Sequence, residues 1–291
     1  MTENTILNPF NINNKQITEE DIINIFKKVN INIKPNSLKP YQLSFIHKSY
    51  TKSNNYELSR SMRDETIILK EKTKDCLDLF DKHNEKLEFL GDRVIDNIVV
   101  HYIYQRYYDT DEGFMTKLKT RLVKTATLAK FSKYLNLDKH LIISNYLDNK
   151  CSGRDNDNML ENTFEAFIGA VFLDFNNSSA LLNNNIKIES GYSLCNLIIT
   201  NLMEKLIDFE DIVQNDDNYK DILLRNYQSH YQVTPKYVTL TEDGKPHNRT
   251  FRMGVYNHTC DKIIGEGEAK SKKAAEQLAS LHALKSMKLI N

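Results

Sequence analysis

The sequence contains no apolar run approaching the roughly 18 residues that a membrane-spanning helix needs, so no helical span is expected. Cysteine is scarce: Cys76, Cys151, Cys195 and Cys260 are scattered and form no CxxC pair, so neither a zinc site nor a disulfide framework is expected. They read as reduced thiols of a cytoplasmic protein. Residues 1–14 lack the basic and apolar regions of a secretory signal, and no internal repeat is found. Net charge is absent too, with 39 Lys and Arg against 39 Asp and Glu. What remains is a chain of 291 residues, 40% hydrophobic and 27% charged, long enough for two globular domains of ordinary size.

The zero net charge conceals an imbalance. Residues 218–291 hold 12 Lys and Arg against 7 Asp and Glu, which leaves 27 against 32 for the remainder. An acidic body joined to a basic tail suits a metal site attached to a nucleic-acid grip, although drift alone also produces such differences. Asparagine is plentiful and clusters in expected loops.

Thr18 and Asp21 form a capping-box pattern ahead of Ile22, Ile25 and Phe26, which predicts a first helix. Pro35 and Pro40 break the pattern, and residues 41–50 read as another short helix. Residues 51–82 are polar without periodicity and read as an insertion or long loop. Helical spacing then covers 84–108, 115–135 and 159–175. The low-complexity tract 176–190 reads as a surface loop, 194–207 as a helix and 208–218 as an acidic linker. Beyond it the pattern changes to a helix at 219–228, strands at 236–241, 250–257 and 260–266, and a last amphipathic helix at 271–287 with Ala274, Ala275, Leu278, Ala279 and Leu281.

Two segments hold the candidate chemistry. In the first, Glu85, Glu88, Asp92 and Asp96 follow i, i+3, i+7, i+11 and fall within about 80° of one another on a helix, opposite Leu87, Leu90, Val94 and Ile98. A solvated acidic face is the plain reading; the repulsion between stacked carboxylates, which a divalent cation relieves, argues for more. The second, MLENTFEAFIGAVFLD at 159–174, is apolar on every side from Ala166 to Leu173 and reads as a buried helix. Glu165 enters that helix with Asn162 one turn earlier. A buried carboxylate is costly unless it is paired or binds metal.

HNEKLEFLGD at 83–92 resembles the signature of the ribonuclease III family. The 159–174 segment resembles that family's second acidic motif, Asp111-Glu112-Gly113 its intervening element, and Ser44 to Tyr50, more loosely, an upstream motif. The resemblance implies metal ligands at Glu88, Asp92 and Glu165, with Glu85 and Glu112 lining the same catalytic valley beside Asp92 and Glu165. It implies Mg²⁺, with Mn²⁺ able to substitute, and a homodimer formed through the signature helix, where Phe89 matches an interface aromatic. A core phenylalanine is the competing reading of Phe89. Asn162 stands where the family has Asp: its amide oxygen can still ligate, but brings no charge, which implies a greater need for metal. Glu161, about 100° around the helix from Asn162, is not an obvious substitute.

Residues 218–288 resemble a double-stranded-RNA-binding domain: Lys220 and Gln228 in the first helix, Gly244-Lys245-Pro246-His247 in a loop, and Gly265-Glu266-Gly267 leading to Ser271-Lys272-Lys273. Lys270, Lys272 and Lys273 sit at a helix N-terminus, which also favours phosphate. Arg225, with Leu224, stands where the family offers polar side chains to RNA, and can reach a phosphate. The expected architecture is an all-α ribonuclease III catalytic domain, residues 1–215, followed by a small α+β (α-β-β-β-α) RNA-binding domain, residues 218–291. The expected activity is metal-dependent hydrolysis of double-stranded RNA leaving 5′-phosphates and short 3′ overhangs. The rival is an RNA-sequestering protein with an attenuated site, which Asn162 favours.

Overall fold

The computed structural model describes residues 6–52, 68–176, 180–182, 186–188, 191–214, 219–244, 249–257 and 262–290. The chain divides into two compact units, Met1–Asp208 and Phe209–Asn291.

The first unit is helical: α1 (Glu19–Lys28), α2 (Lys39–Ser44), α3 (Glu85–Arg106), α4 (Glu112–Leu122), α5 (Thr125–Leu135), α6 (Asn145–Cys151), α7 (Asp157–Phe175) and α8 (Gly191–Leu206). Its axis is α7, which packs against α2, α3, α5 and α8. Surrounded in this way, α7 needs no polar face, and Phe164, Ala166, Phe167, Ile168, Ala170 and Val171 are fully buried. Rings of Phe26, Tyr41 and Phe45 close around Phe167. At the far end of α7 the buried Asp174 accepts the Tyr41 hydroxyl (3.0 Å) and the Asn36 and Ser37 amides (2.9 and 2.7 Å). The Thr18–Asp21 capping box that starts α1 is present as expected.

Several local expectations need correction. Pro40 lies in the first turn of α2, where its missing N–H costs nothing, so it starts a helix rather than breaking one. The helix expected over 41–50 stops at Ser44. Ile46 bridges to Ile142, and a 3₁₀ turn over Lys48–Tyr50 follows, because this strand-like contact anchors the chain. Of the insertion at 51–82, residues 53–67 lie outside the described part. The rest is tied to the body: Phe80 receives the Lys52 amide (2.9 Å), Tyr50 bonds Leu77 O (2.8 Å), and Cys76 is buried. Residues Ile68–Leu69 form β2, parallel to β1 (Ile6–Leu7). The helix expected over 115–135 is two, α4 and α5. The tract read as a loop contains an antiparallel pair, β3 (Ala180–Leu182) and β4 (Ile186–Ile188). The segment read as a linker contains α9 (Phe209–Gln214). No described helix is long and apolar enough to cross a membrane.

The second unit adds α10 (Tyr219–Tyr231), the antiparallel sheet β5 (Tyr237–Asp243), β6 (Thr250–Tyr256) and β7 (Ile263–Ala269), and α11 (Lys272–Ser286). Leu223 and Tyr227 of α10 meet Val255 of the sheet and Ala279, Ala283 and Leu284 of α11. The buried stripe of α11 is Ala275, Ala279 and Ala283, whereas Leu278, expected in the apolar face, is exposed. The reason is β7: a Cβ on Gly265 would lie 2.2 Å from Ala279 O, and one on Gly267 2.4 Å from Ala275 O. Strand and helix backbones are so close that only alanine fits between them.

Candidate active site and nucleic-acid interface

The site is built where α3 crosses α7. A Cβ on Gly91 would stand 1.8 Å from Glu165 O, and one on Gly169 2.3 Å from Leu87 O. The two backbones are therefore in direct contact. Moving four residues forward on α3 moves the opposing residue four back on α7, so the helices run antiparallel. Glycine is required here because any side chain would force the backbones apart. The start of α3 is fixed independently: buried Asn84 donates from its amide side chain to Ser44 O (3.2 Å), and its N–H bonds Ile46 O (2.9 Å).

This crossing brings together Glu88 and Asp92 from α3 with Glu161 and Glu165 from α7. Glu165 is only 9% exposed. Burial first, then the charges of Asp92, Glu161 and Glu88, push its carboxyl up to about 8. Burial also raises Glu88, assisted by Glu85, while Lys48 opposes; Glu161 and Asp92 add to the rise. Glu161 is raised by burial and by Asp92, against a hydrogen bond from the Thr125 side chain.

The structure sorts the acidic stripe expected from sequence. Glu85 pairs with Lys48 (2.9 Å), whose hydrogen bond lowers its pKa, and Asp96 pairs with Lys119 of α4. Asp92 contacts neighbouring Arg93. Glu112 occupies the first turn of α4 and accepts the Thr116 hydroxyl (2.9 Å). Asn162 lies half-buried one turn before Glu165. Among the described residues, no three His, Cys, Asp or Glu side chains stand together as a set that could hold a metal ion. Glu161 is the residue that sequence reasoning set aside. Measured from Asn162 it points away, but measured from Glu165 it is i−4, only about 40° around the helix.

Phe89 is 74% exposed, which removes the core reading. It shares a face of α3 with exposed Val100 and Tyr104, within about 60° at 100° per residue.

In the second unit, Ser271 caps α11 by accepting the Ala274 amide (3.2 Å). Lys272 and Lys273 occupy its exposed first turn, and Lys270 precedes it. Lys272 also reaches Glu242 (3.6 Å) and lies over the Phe251 ring. Lys220 is turned inward to Glu276 (2.5 Å) and the Tyr237 ring. On α10, Arg225 pairs with Asp221 (2.9 Å), and Gln228 is exposed. Pro246 and His247 lie outside the described residues.

Both units resemble known proteins. Residues 85–176 match the ribonuclease III domain and residues 219–287 the double-stranded RNA binding motif. A ribonuclease 3 of Campylobacter fetus is 33% identical over 207 residues, covering 71% of this chain and 85% of that protein. A protein of Acanthamoeba polyphaga mimivirus described as a probable ribonuclease 3 is 30% identical over 273 residues; the match takes in 93% of this chain but only 46% of that protein. The nuclease domain of ribonuclease III from Campylobacter jejuni superposes with a TM-score of 0.45 at 24% identity, over 63% of this chain and 96% of that one. A helical nuclease body followed by an α-β-β-β-α module defines a ribonuclease, a hydrolase equipped to bind double-stranded RNA. The chain belongs to the ribonuclease III family.

Proposed function

We propose that the chain cuts double-stranded RNA by metal-dependent phosphodiester hydrolysis at the α3–α7 crossing. The observation behind this reading is Glu165, a carboxyl only 9% exposed beside Glu88, Asp92 and Glu161, whose burial and neighbours push it up to about 8. Such an arrangement is unfavourable without a cation, and its donors are the hard oxygens that Mg²⁺ prefers. Glu88, Asp92 and Glu165 would hold the ion, with the Asn162 amide oxygen within the same turn. Glu165 would give up its proton on binding, since cation and proton compete for the carboxylate. When bound, Mg²⁺, or Mn²⁺ in its place, supplies a Lewis acid and an activated water. Glu85 and Glu112 are assigned supporting places along the same valley, and Lys48 keeps Glu85 ionised. Products are assigned 5′-phosphates and short 3′ overhangs.

Two copies are assigned to a homodimer through the exposed face of α3 around Phe89, because such an apolar stripe is costly in water. The scattered thiols suit a cytoplasmic setting. The RNA grip is assigned to Lys270, Lys272 and Lys273, with Arg225, Gln228, Pro246 and His247; Lys220, held by Glu276, would act mainly by fixing α10 to α11. Incubating the full-length protein with a long labelled duplex tests the reading. Cleavage with Mg²⁺ and none with chelator is expected. Intact duplex at every Mg²⁺ and Mn²⁺ concentration overturns it in favour of RNA sequestration, the reading suggested by the uncharged Asn162.

A second expectation concerns the lysines at the start of α11. If Lys272 and Lys273 each neutralise one phosphate, their double replacement by alanine lowers the slope of log affinity against log salt by about 2. Duplex binding measured by filter retention at several salt concentrations checks this. An unchanged slope removes both residues from the interface.

A further inference from the structure

We propose that Glu161 supplies the fourth anionic ligand of the cation site, contributing the charge that Asn162 does not bring. The proposal rests on the cation reading above and adds a residue to it. Glu88, Asp92 and Glu165 offer three carboxylates, and Asn162 would leave the set at three. Glu161 lies four residues before Glu165, about 40° away around α7, whereas Asn162, three residues before, lies about 60° to the other side.

The register of the crossing gives the side of α7 on which this matters. Gly169 faces Leu87 and Glu165 faces Gly91, so one further turn places Glu161 opposite the turn of α3 that follows Asp92. Asp92 therefore stands between the levels of Glu165 and Glu161. The electrostatics agree: the charge of Asp92 acts on both α7 carboxylates, and Glu161 acts in turn on Glu88. The Thr125 side chain, in the first residue of α5, hydrogen-bonds Glu161 and helps to position its carboxylate. Since affinity for hard cations rises with the number of ligand charges, Glu161 restores a four-carboxylate site within a motif that has lost its usual aspartate.

Binding of Mn²⁺ alone to the full-length protein, without RNA, is the test, read from the electron paramagnetic resonance signal of the free ion. Circular dichroism confirms that each variant is folded. Glu161→Gln is expected to weaken Mn²⁺ about tenfold or more, and Asn162→Ala less than about threefold. The double variant E161Q/N162D, which moves the charge one residue along α7, is expected to recover binding to within about threefold of the parent. That recovery cannot arise from a folding defect in E161Q. Wild-type binding by E161Q alongside lost binding by E165Q overturns the role of Glu161 and leaves the cation site standing. Asn162→Ala as weak as E161Q overturns the assignment as well. Wild-type binding by both E161Q and E165Q overturns the cation site itself.

Discussion

Replacing Glu165 by glutamine is expected to lower duplex cleavage about a thousandfold while making the metal-free protein more stable. Both effects come from one buried carboxyl. Unfolded, it releases its proton near pH 4.5; folded, it keeps the proton until about pH 8. Between those values the unfolded chain binds fewer protons than the native state, so this group removes stability as pH rises. Its cost begins above pH 4.5 and is complete above about 8. A glutamine at this position carries no such cost, so the variant should gain a lead over the parent that is negligible near the unfolded pKa and reaches roughly 3 kcal/mol or more at the folded one, in chelator. Urea unfolding at several pH values measures the lead, and single-turnover cleavage measures the loss. A lead that does not grow with pH means the carboxyl is not under the strain described. Undiminished cleavage removes Glu165 from the site.

Gly91→Ala is the more destructive change, although it adds a single methyl group. That methyl would sit 1.8 Å from Glu165 O, 2.7 Å from Glu165 C and 2.8 Å from Gly169 N. All three obstacles are backbone, so no rotamer change can make room, and α3 and α7 must separate. A cost above about 4 kcal/mol is expected, lowering the melting temperature by roughly 10 °C or leaving the protein insoluble. Any soluble fraction should cut poorly, because the acidic residues of the two helices move apart together. Thermal unfolding followed by circular dichroism decides it. A melting temperature within about 2 °C of the parent would mean that the helices do not touch as described.

The two helices that build the site are readable because their signals repeat over several turns. Glu85, Glu88, Asp92 and Asp96 share a face, and the 166–173 run is apolar all round. Which of those carboxylates remain together is not readable, since Lys48 and Lys119, distant in the chain, draw off Glu85 and Asp96. Glu161 is set aside when its angle is taken from Asn162 instead of Glu165. The β3–β4 pair is hidden by composition: Ala180-Leu181-Leu182 and Ile186-Lys187-Ile188 flank three asparagines, and the asparagine-rich tract reads as one loop. Likewise α9 is lost in an acidic stretch although Phe209, Ile212 and Val213 follow helical spacing. Leu278 is expected inside because leucine is apolar; the closeness of β7 to α11, a tertiary fact, decides for alanine.

The antiparallel pairing of Leu87 with Gly169 and Gly91 with Glu165 also governs where the chain can change length. A residue inserted between Leu87 and Gly91 would turn all of α3 beyond it by about 100° and advance it by about 1.5 Å. Leu87 and Gly91 would then no longer meet α7 together, and the same holds for an insertion between Glu165 and Gly169. These two windows behave as fixed-length cassettes. Additions before Asn84, between Arg106 and Asp157, or after Phe175 leave the pairing in step, provided the helices can still reach one another. Segments 51–82 and 176–190 both fall in those permissive intervals. Grafting a peptide tag between Lys52 and Ile68 should preserve cleavage, whereas adding one alanine after Glu88 should abolish it.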